Sequence, residues 1–211
     1  VALLLPESKT TRYETRDRPI FTAKLKELCP NCELLYSNAD QDANKQLNQA
    51  DAALTNGAKV LVLDPVDAAS ASSIVTKAKA KNVQVISYDR LVLNSELEYY
   101  ISFDNEQVGK LQGQSLLDKL NSNGTTNKGP IVMINGSPTD NNASQFKKGA
   151  LSVLNGKVTI GKEFDTPDWS PDNAQREMDQ AITALGKDKI VGVYAANDGT
   201  AAPTGRPPGT G

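Results

Sequence analysis

Six times in this 211-residue chain a short apolar run gives way to a polar loop, and a helix-like stretch follows. The runs cover 1–5, 60–63, 83–87, 99–102, 131–134 and 190–194. The loops after them read PESKTTRYE, DPVDAAS, YDRLVLN, FDNEQ, NGSPTDNN and NDGTA. An apolar run of four or five residues fits a strand covered on both faces of a parallel sheet. Such strands alternating with helices build an α/β fold whose strands all end on one edge. The polar loops then gather on that edge. Their Asp, Asn, Arg and aromatic side chains are the groups that hydrogen-bond to, and stack on, a small polar ring.

Charge and composition narrow the partners. Lys and Arg number 23 against 25 Asp and Glu, a net charge of −2, so no basic field exists to hold nucleic acid or an anionic membrane. No apolar run approaches the roughly 20 residues that span a bilayer. No leader peptide is visible before the first strand, so the leader is expected to be absent from this chain. The chain has no histidine, which removes Ser-His-Asp and Cys-His catalysis and the commonest metal ligand. Neither GxGxxG nor a phosphate-binding GxxxxGKS/T occurs, so a doubly wound enzyme finds little support. No catalytic residue, metal or cofactor is expected.

The two cysteines form Cys29-Pro30-Asn31-Cys32. A redox CxxC opens a helix after a strand, whereas this one follows a helical stretch at 24–28 and precedes a strand at 33–36. A zinc site needs more ligands than two Cys. A structural disulfide in an oxidising compartment is the leading expectation, with free thiols and then redox catalysis behind it.

Residues 12–28 read as a helix with Ile20, Phe21, Ala23, Leu25 and Leu28 turned inward, and 34–36 as the second strand. Asp40 reads as the N-cap of a helix over 41–56 that Gly57 stops. Residues 68–81 are Ala-rich and helical. A second series follows: helix 105–120, strand 131–134, helix 142–154, strand 158–160, helix 171–185, strand 190–194. The expected fold is α/β, with two doubly wound parallel-sheet units over 1–103 and 104–200 and right-handed crossovers. Residues 201–211 (AAPTGRPPGTG) hold three Pro and three Gly and no Leu, Ile or Val. They are predicted to form an irregular or disordered tail. The helix expected after Asn197-Asp198 is then missing, and the second unit stays incomplete with an open sheet edge.

Four stretches carry a family resemblance: ISYDRL at 86–91, YISFDNEQVGKLQ at 100–112, NGSPTDNNASQFKKGA at 135–150 and AAND at 195–198. In this order they resemble the periplasmic sugar-binding proteins of ABC importers, and among those the D-xylose-binding group. The resemblance covers about 1–200. It implies the type 1 periplasmic binding protein fold, two lobes around a hinge closing on one sugar, here with the second lobe cut short. It further implies a monosaccharide ligand, xylose-like pentoses first, an ABC permease as partner, and an extracytoplasmic location, periplasmic or lipid-anchored on the cell surface. A ligand-sensing or receptor-partner protein of the same fold, without a transport role, is the alternative.

The resemblance also assigns residues. Arg12 and Tyr13 match an Arg–aromatic pair on the first loop, with Tyr where Trp is common. Asp89 and Arg90 match the sugar-contacting pair of the YDR motif. Asp140 and Asn142 match the polar pair of SPxDNN, Trp169 in DWSPDN the ring-stacking aromatic, and Asn197 the Asn of NDxT. An acidic and a basic ligand of the family pattern would fall past the end of this chain. Each residue also has a plain structural role open to it. Arg90 can be an ion-pair partner, Asp89 a turn cap, Asp140 to Asn142 an N-cap group, Trp169 a packed loop anchor, and Asn197 a turn residue. Finally, apolar faces at 131–134 and 190–194 left uncovered by an unfinished lobe lead to the expectation of a homodimer through that lobe, with weakened sugar affinity.

Overall fold

Strand β1 (Ala2–Leu5) reads ALLL and is buried along its whole length. Every one of its side chains needs apolar cover, and only the centre of a two-faced sheet supplies it. The computed structural model describes residues 1–204. It places β1 inside a five-stranded sheet with β2 (Leu35–Asn38), β3 (Val60–Leu63), β4 (Gln84–Tyr88) and β5 (Tyr99–Ile101). The order is β2-β1-β3-β4-β5, and every neighbouring pair is parallel. This is the first of two units, Val1–Ser102; the second starts at Phe103.

One face of the first sheet, with Ala2, Leu4, Leu61 and Leu63, packs against α2 (Ala43–Thr55) and α3 (Ser72–Ala80) through Ala50, Leu54, Ile74 and Ala78. The other face, with Leu3, Leu5 and Val62, meets Tyr13 and the partly buried Phe21. Cys29 and Cys32, just after α1 (Arg18–Leu28), are joined by a disulfide.

Three details depart from the sequence reading. The stretch from Tyr13 to Asp17 is a π-helical turn, not α-helix. A π turn holds an extra residue, so the apolar phase counted from Arg12 slips before α1 begins. Phe21 and Leu25 stay partly covered, Ala23 faces outward, and Ile20 and Leu28 end 63% and 72% exposed. Second, Asp42 rather than Asp40 caps α2, accepting from the backbone N–H of Asn44 and Lys45. Asp40 and Gln41 take left-handed φ values of 50° and 66°, and that turn delays the helix by two residues. Third, Asp67 organises the turn after β3 by accepting from Ala69 and Ser70, and α3 begins only at Ser72.

The second unit holds a parallel sheet ordered β7-β6-β8, formed by β6 (Pro130–Asn135), β7 (Thr159–Asp165) and β8 (Gly192–Ala195). Ile131 and Met133 of β6 face α4 (Asn105–Ser122) and α5 (Asn141–Leu154). Val132 and Ile134 face α6 (Pro171–Leu185). Strand β7 runs five residues past the expected end. A correction applies at the end of the chain. Asp198–Thr204 forms a short helix, α7, with Pro203 inside it. The helix expected to be missing after Asn197 is present, and 201–204 belong to it rather than to an irregular tail. Residues 205–211 of that expectation lie outside the described residues.

Helices α4 and α5 approach backbone to backbone. A Cβ on Gly149 would sit 2.0 Å from the Glu106 carbonyl oxygen, and one on Gly109 would sit 2.1 Å from that of Phe146. Gly149→Ala is therefore expected to force the helices apart and cost about 1–3 kcal/mol, read as a lower urea midpoint. An unchanged midpoint would show that the contact is not this close in solution.

Candidate functional site

In a doubly wound sheet the crevice lies beyond the strand ends where the chain changes direction of winding. In the first unit that point falls between β1 and β3, because β1 leads to β2 on one side and β2 then crosses to β3 on the other. The loops after β1, β3 and β4 supply the polar side chains there.

Arg12 ion-pairs with Asp89, the carboxylate on the loop after β4. The Tyr13 hydroxyl donates to the same Asp89 Oδ2 at 2.7 Å. Asp89 sits at φ 59°, a left-handed conformation that Asp adopts more readily than most residues. Asp17, on the π turn, lies 3.6 Å from the Arg12 guanidinium. Burial alone would lower the pKa of Arg12; the charge of Asp89 foremost, with Tyr13 and Asp17, outweighs it and leaves the pKa raised. Arg12 is thus a permanent cation with about a third of its side chain exposed. Burial also raises the Asp17 carboxyl against the pull of Arg12 and a hydrogen bond from Tyr88.

Arg90 lies deeper, at 1% exposure. Its guanidinium lies 3.4 Å from Glu7 Oε1 and 3.7 Å from Asp64 Oδ1. Glu7 follows β1 and Asp64 follows β3, so Arg90 fills the switch point between them. Two guanidiniums lie over the Tyr13 ring, Arg12 at 5.0 Å and Arg90 at 5.7 Å from its centroid. Both contacts are of cation–π type. The structure therefore brings Arg12, Tyr13, Asp89 and Arg90 into one cluster. Glu7, Asp17 and Asp64 belong to it too and were not among the sequence candidates. Glu7 and Asp64 carry one weak signal: each is the first acidic residue after an apolar strand.

In the second unit the corresponding point is between β6 and β8, since β6 is flanked by β7 and β8. Asp140 caps α5, its Oδ1 accepting from Asn142 N–H at 2.8 Å. Its Oδ2 accepts from the Trp169 indole N–H at 3.0 Å. Asn142 turns its amide oxygen to Asn105 at 2.9 Å. Trp169 is 5% exposed, packs edge-on to Phe146 at 6.4 Å between ring centroids, and lies against Gly136 so closely that any Cβ there would collide. Asp168 and Trp169 take left-handed φ values of 59° and 51°, which turns the indole back onto Asp140. Asn197 caps the turn into α7, its Oδ1 accepting from Thr200 N–H at 2.8 Å. The same oxygen and the Asn197 carbonyl also accept from the Thr200 hydroxyl. Asp140, Asn142 and Trp169 form one group, and the contacts of Asn197 are local. Each side chain thus also fills the plain role open to it from the sequence, as cap, anchor or turn. Among the described residues no three Cys, Asp or Glu side chains are grouped to hold a metal.

Comparison with known proteins agrees with the α/β fold. Residues 1–206 match the family described as the periplasmic binding protein domain. A D-xylose-binding periplasmic protein of Escherichia coli K12 is 32% identical over 206 residues, 95% of this chain and 59% of the relative. A multiple sugar-binding periplasmic receptor of Rhizobium radiobacter is 39% identical over 166 residues, 72% of this chain and 46% of the relative. Among solved structures, an ABC transporter solute-binding protein of Clostridium phytofermentans with bound β-D-glucose superposes with a TM-score of 0.85 at 32% identity. That match covers 96% of this chain and 66% of that one. The chain thus spans about 59% of the length of the E. coli relative.

Proposed function

The chain belongs to the periplasmic binding protein domain family, and from that premise we propose that it is the solute-binding part of a carbohydrate ABC importer. Its ligand is a monosaccharide, xylose-like pentoses first, and its partner is the importer's permease. It works outside the cytoplasm, where the Cys29–Cys32 disulfide persists. It binds and releases; it does no chemistry.

The observation that carries this reading is the cluster of Arg12, Tyr13, Asp89 and Arg90 at the β1/β3 switch point. A pyranose carries a rim of hydroxyls, each able to donate and accept. Carboxylates accept from them and guanidiniums donate to them. A hydrogen bond to a charged group contributes on the order of 1.5–3 kcal/mol. Within the second unit, Asp140, Asn142 and Asn197 are polar groups of the same kind, and Trp169 is a flat apolar ring. A few such bonds with one stacking contact suffice for the roughly −8 kcal/mol of micromolar binding after association costs. Xylose comes first because the E. coli relative is named for it, although the Clostridium protein holds glucose.

Calorimetric titration of the full-length protein with pentoses, hexoses and amino acids tests the reading. Micromolar binding of D-xylose is expected, about tenfold tighter than hexoses that add one hydroxymethyl group. Binding of amino acids only, or of nothing in the panel, would overturn it. One relative is named a receptor, which supports a sensing role as a second reading. A neighbouring kinase gene in place of permease and ATPase genes would favour it.

A further inference from the structure

We infer that Glu14 is a positioning residue of the sugar site: it clamps the π-helical turn behind Arg12 and Tyr13 and so holds both side chains against Asp89. This rests on the monosaccharide reading above. Tyr13 is the first residue of that turn and Glu14 the second. Single π turns are rare and concentrate at functional sites. They need outside support, because the ordinary α-helical spacing competes with them.

Glu14 provides that support. Its Oε1 accepts from the Tyr36 hydroxyl and from Asn38 Nδ2, the latter at 2.8 Å. Its Oε2 accepts from Arg18 at 3.1 Å. Tyr36 and Asn38 belong to β2, so the turn is fastened to the sheet on that side. On the other side Tyr13 is fastened to Asp89. Arg18 in turn lies over the Tyr36 ring, 3.8 Å from its centroid. Asn38 also donates to the Glu7 carbonyl at 3.1 Å, and the Glu7 carboxylate is the one that holds Arg90. Burial would raise the Glu14 carboxyl, but the hydrogen bonds from Tyr36, Arg18 and Asn38 keep it below its usual range. It therefore accepts as a charged group, through bonds stronger than neutral ones. An exposed Glu–Arg pair four residues apart on a helix contributes little by itself. A phenol and an amide converging from a neighbouring strand do more than such a pair requires. What they secure is the position of Arg12 and Tyr13 before ligand arrives, and a site set in advance loses less freedom on binding.

The test is a double-mutant cycle on the full-length protein, with D-xylose affinity as the readout. Glu14→Ala is expected to weaken binding about tenfold. In a background of Arg12→Ala with Tyr13→Phe, where the positioned groups are gone, the same change is expected to cost less than about twofold. Tyr36→Phe, which keeps the ring under Arg18 and removes one bond to Glu14, gives a smaller loss of the same pattern and serves if Glu14→Ala does not fold. A general structural role would instead cost the same in both backgrounds, and that result overturns the inference, as does no loss at all. If the Arg12 and Tyr13 background binds sugar as tightly as the unaltered protein, the site reading itself falls and takes this inference with it.

Discussion

Arg90→Ala is expected to lower stability by about 3–5 kcal/mol, because it strands two acids at the centre of the first unit. Glu7 and Asp64 are 1% and 0% exposed, and Arg90 is the cation the structure sets between them. The cost of such a change comes mostly from the buried charges left behind. A triple variant, Arg90→Met with Glu7→Gln and Asp64→Asn, removes those charges too and is expected to recover most of the loss. Urea unfolding followed by circular dichroism measures both. A loss under about 1 kcal/mol for Arg90→Ala would be the value of an exposed ion pair, and the buried arrangement would then be wrong. Sugar titration of the triple variant asks a separate question. If it folds and fails to bind, Arg90 acts on the ligand or its near neighbours as well as on the fold.

Burial on both faces made the strands legible in the sequence. ALLL and VLVL have no polar side to misplace, so β1 and β3 fall where their apolar letters are. Local phase was harder. The π turn at Tyr13–Asp17 shifted the face of α1, and two left-handed residues moved the cap of α2 from Asp40 to Asp42. Neither event has a strong one-letter signature. Polar partners were harder still. Arg90 and Glu7 are 83 residues apart and Arg12 and Asp89 are 77 apart. An acid after a strand looks the same in sequence whether it faces water or a buried guanidinium. The motif letters located Arg12, Asp89, Asp140 and Trp169 without revealing which of them touch. They also did not show that Asp140 is both a helix cap and the acceptor for the indole. Those two roles coexist because they use different oxygens of one carboxylate.

Trp169→Ala is expected to cost about 3–5 kcal/mol, the range for deleting a buried aromatic. The ring fills the space over Gly136, meets Phe146 edge-on, and gives its N–H to Asp140. The loss therefore combines a cavity with a broken bond to a buried acid. Trp169→Phe keeps one ring but removes the donor and part of the indole that lies over Gly136, so a smaller loss of about 1–3 kcal/mol is expected. Urea midpoints of the two variants give the comparison, and equal losses would mean that a phenyl ring recovers none of the packing. The same residue reports on ligand. Trp169 is the only tryptophan in the chain, so the indole emission comes from this loop alone. A stacked sugar would have to uncover a face of a ring that is now 5% exposed. On the monosaccharide reading, adding D-xylose to this chain shifts or quenches that emission with the calorimetric affinity. Emission that stays constant through saturation would assign Trp169 to packing and to holding Asp140, and would remove it from the set of groups that touch the ring.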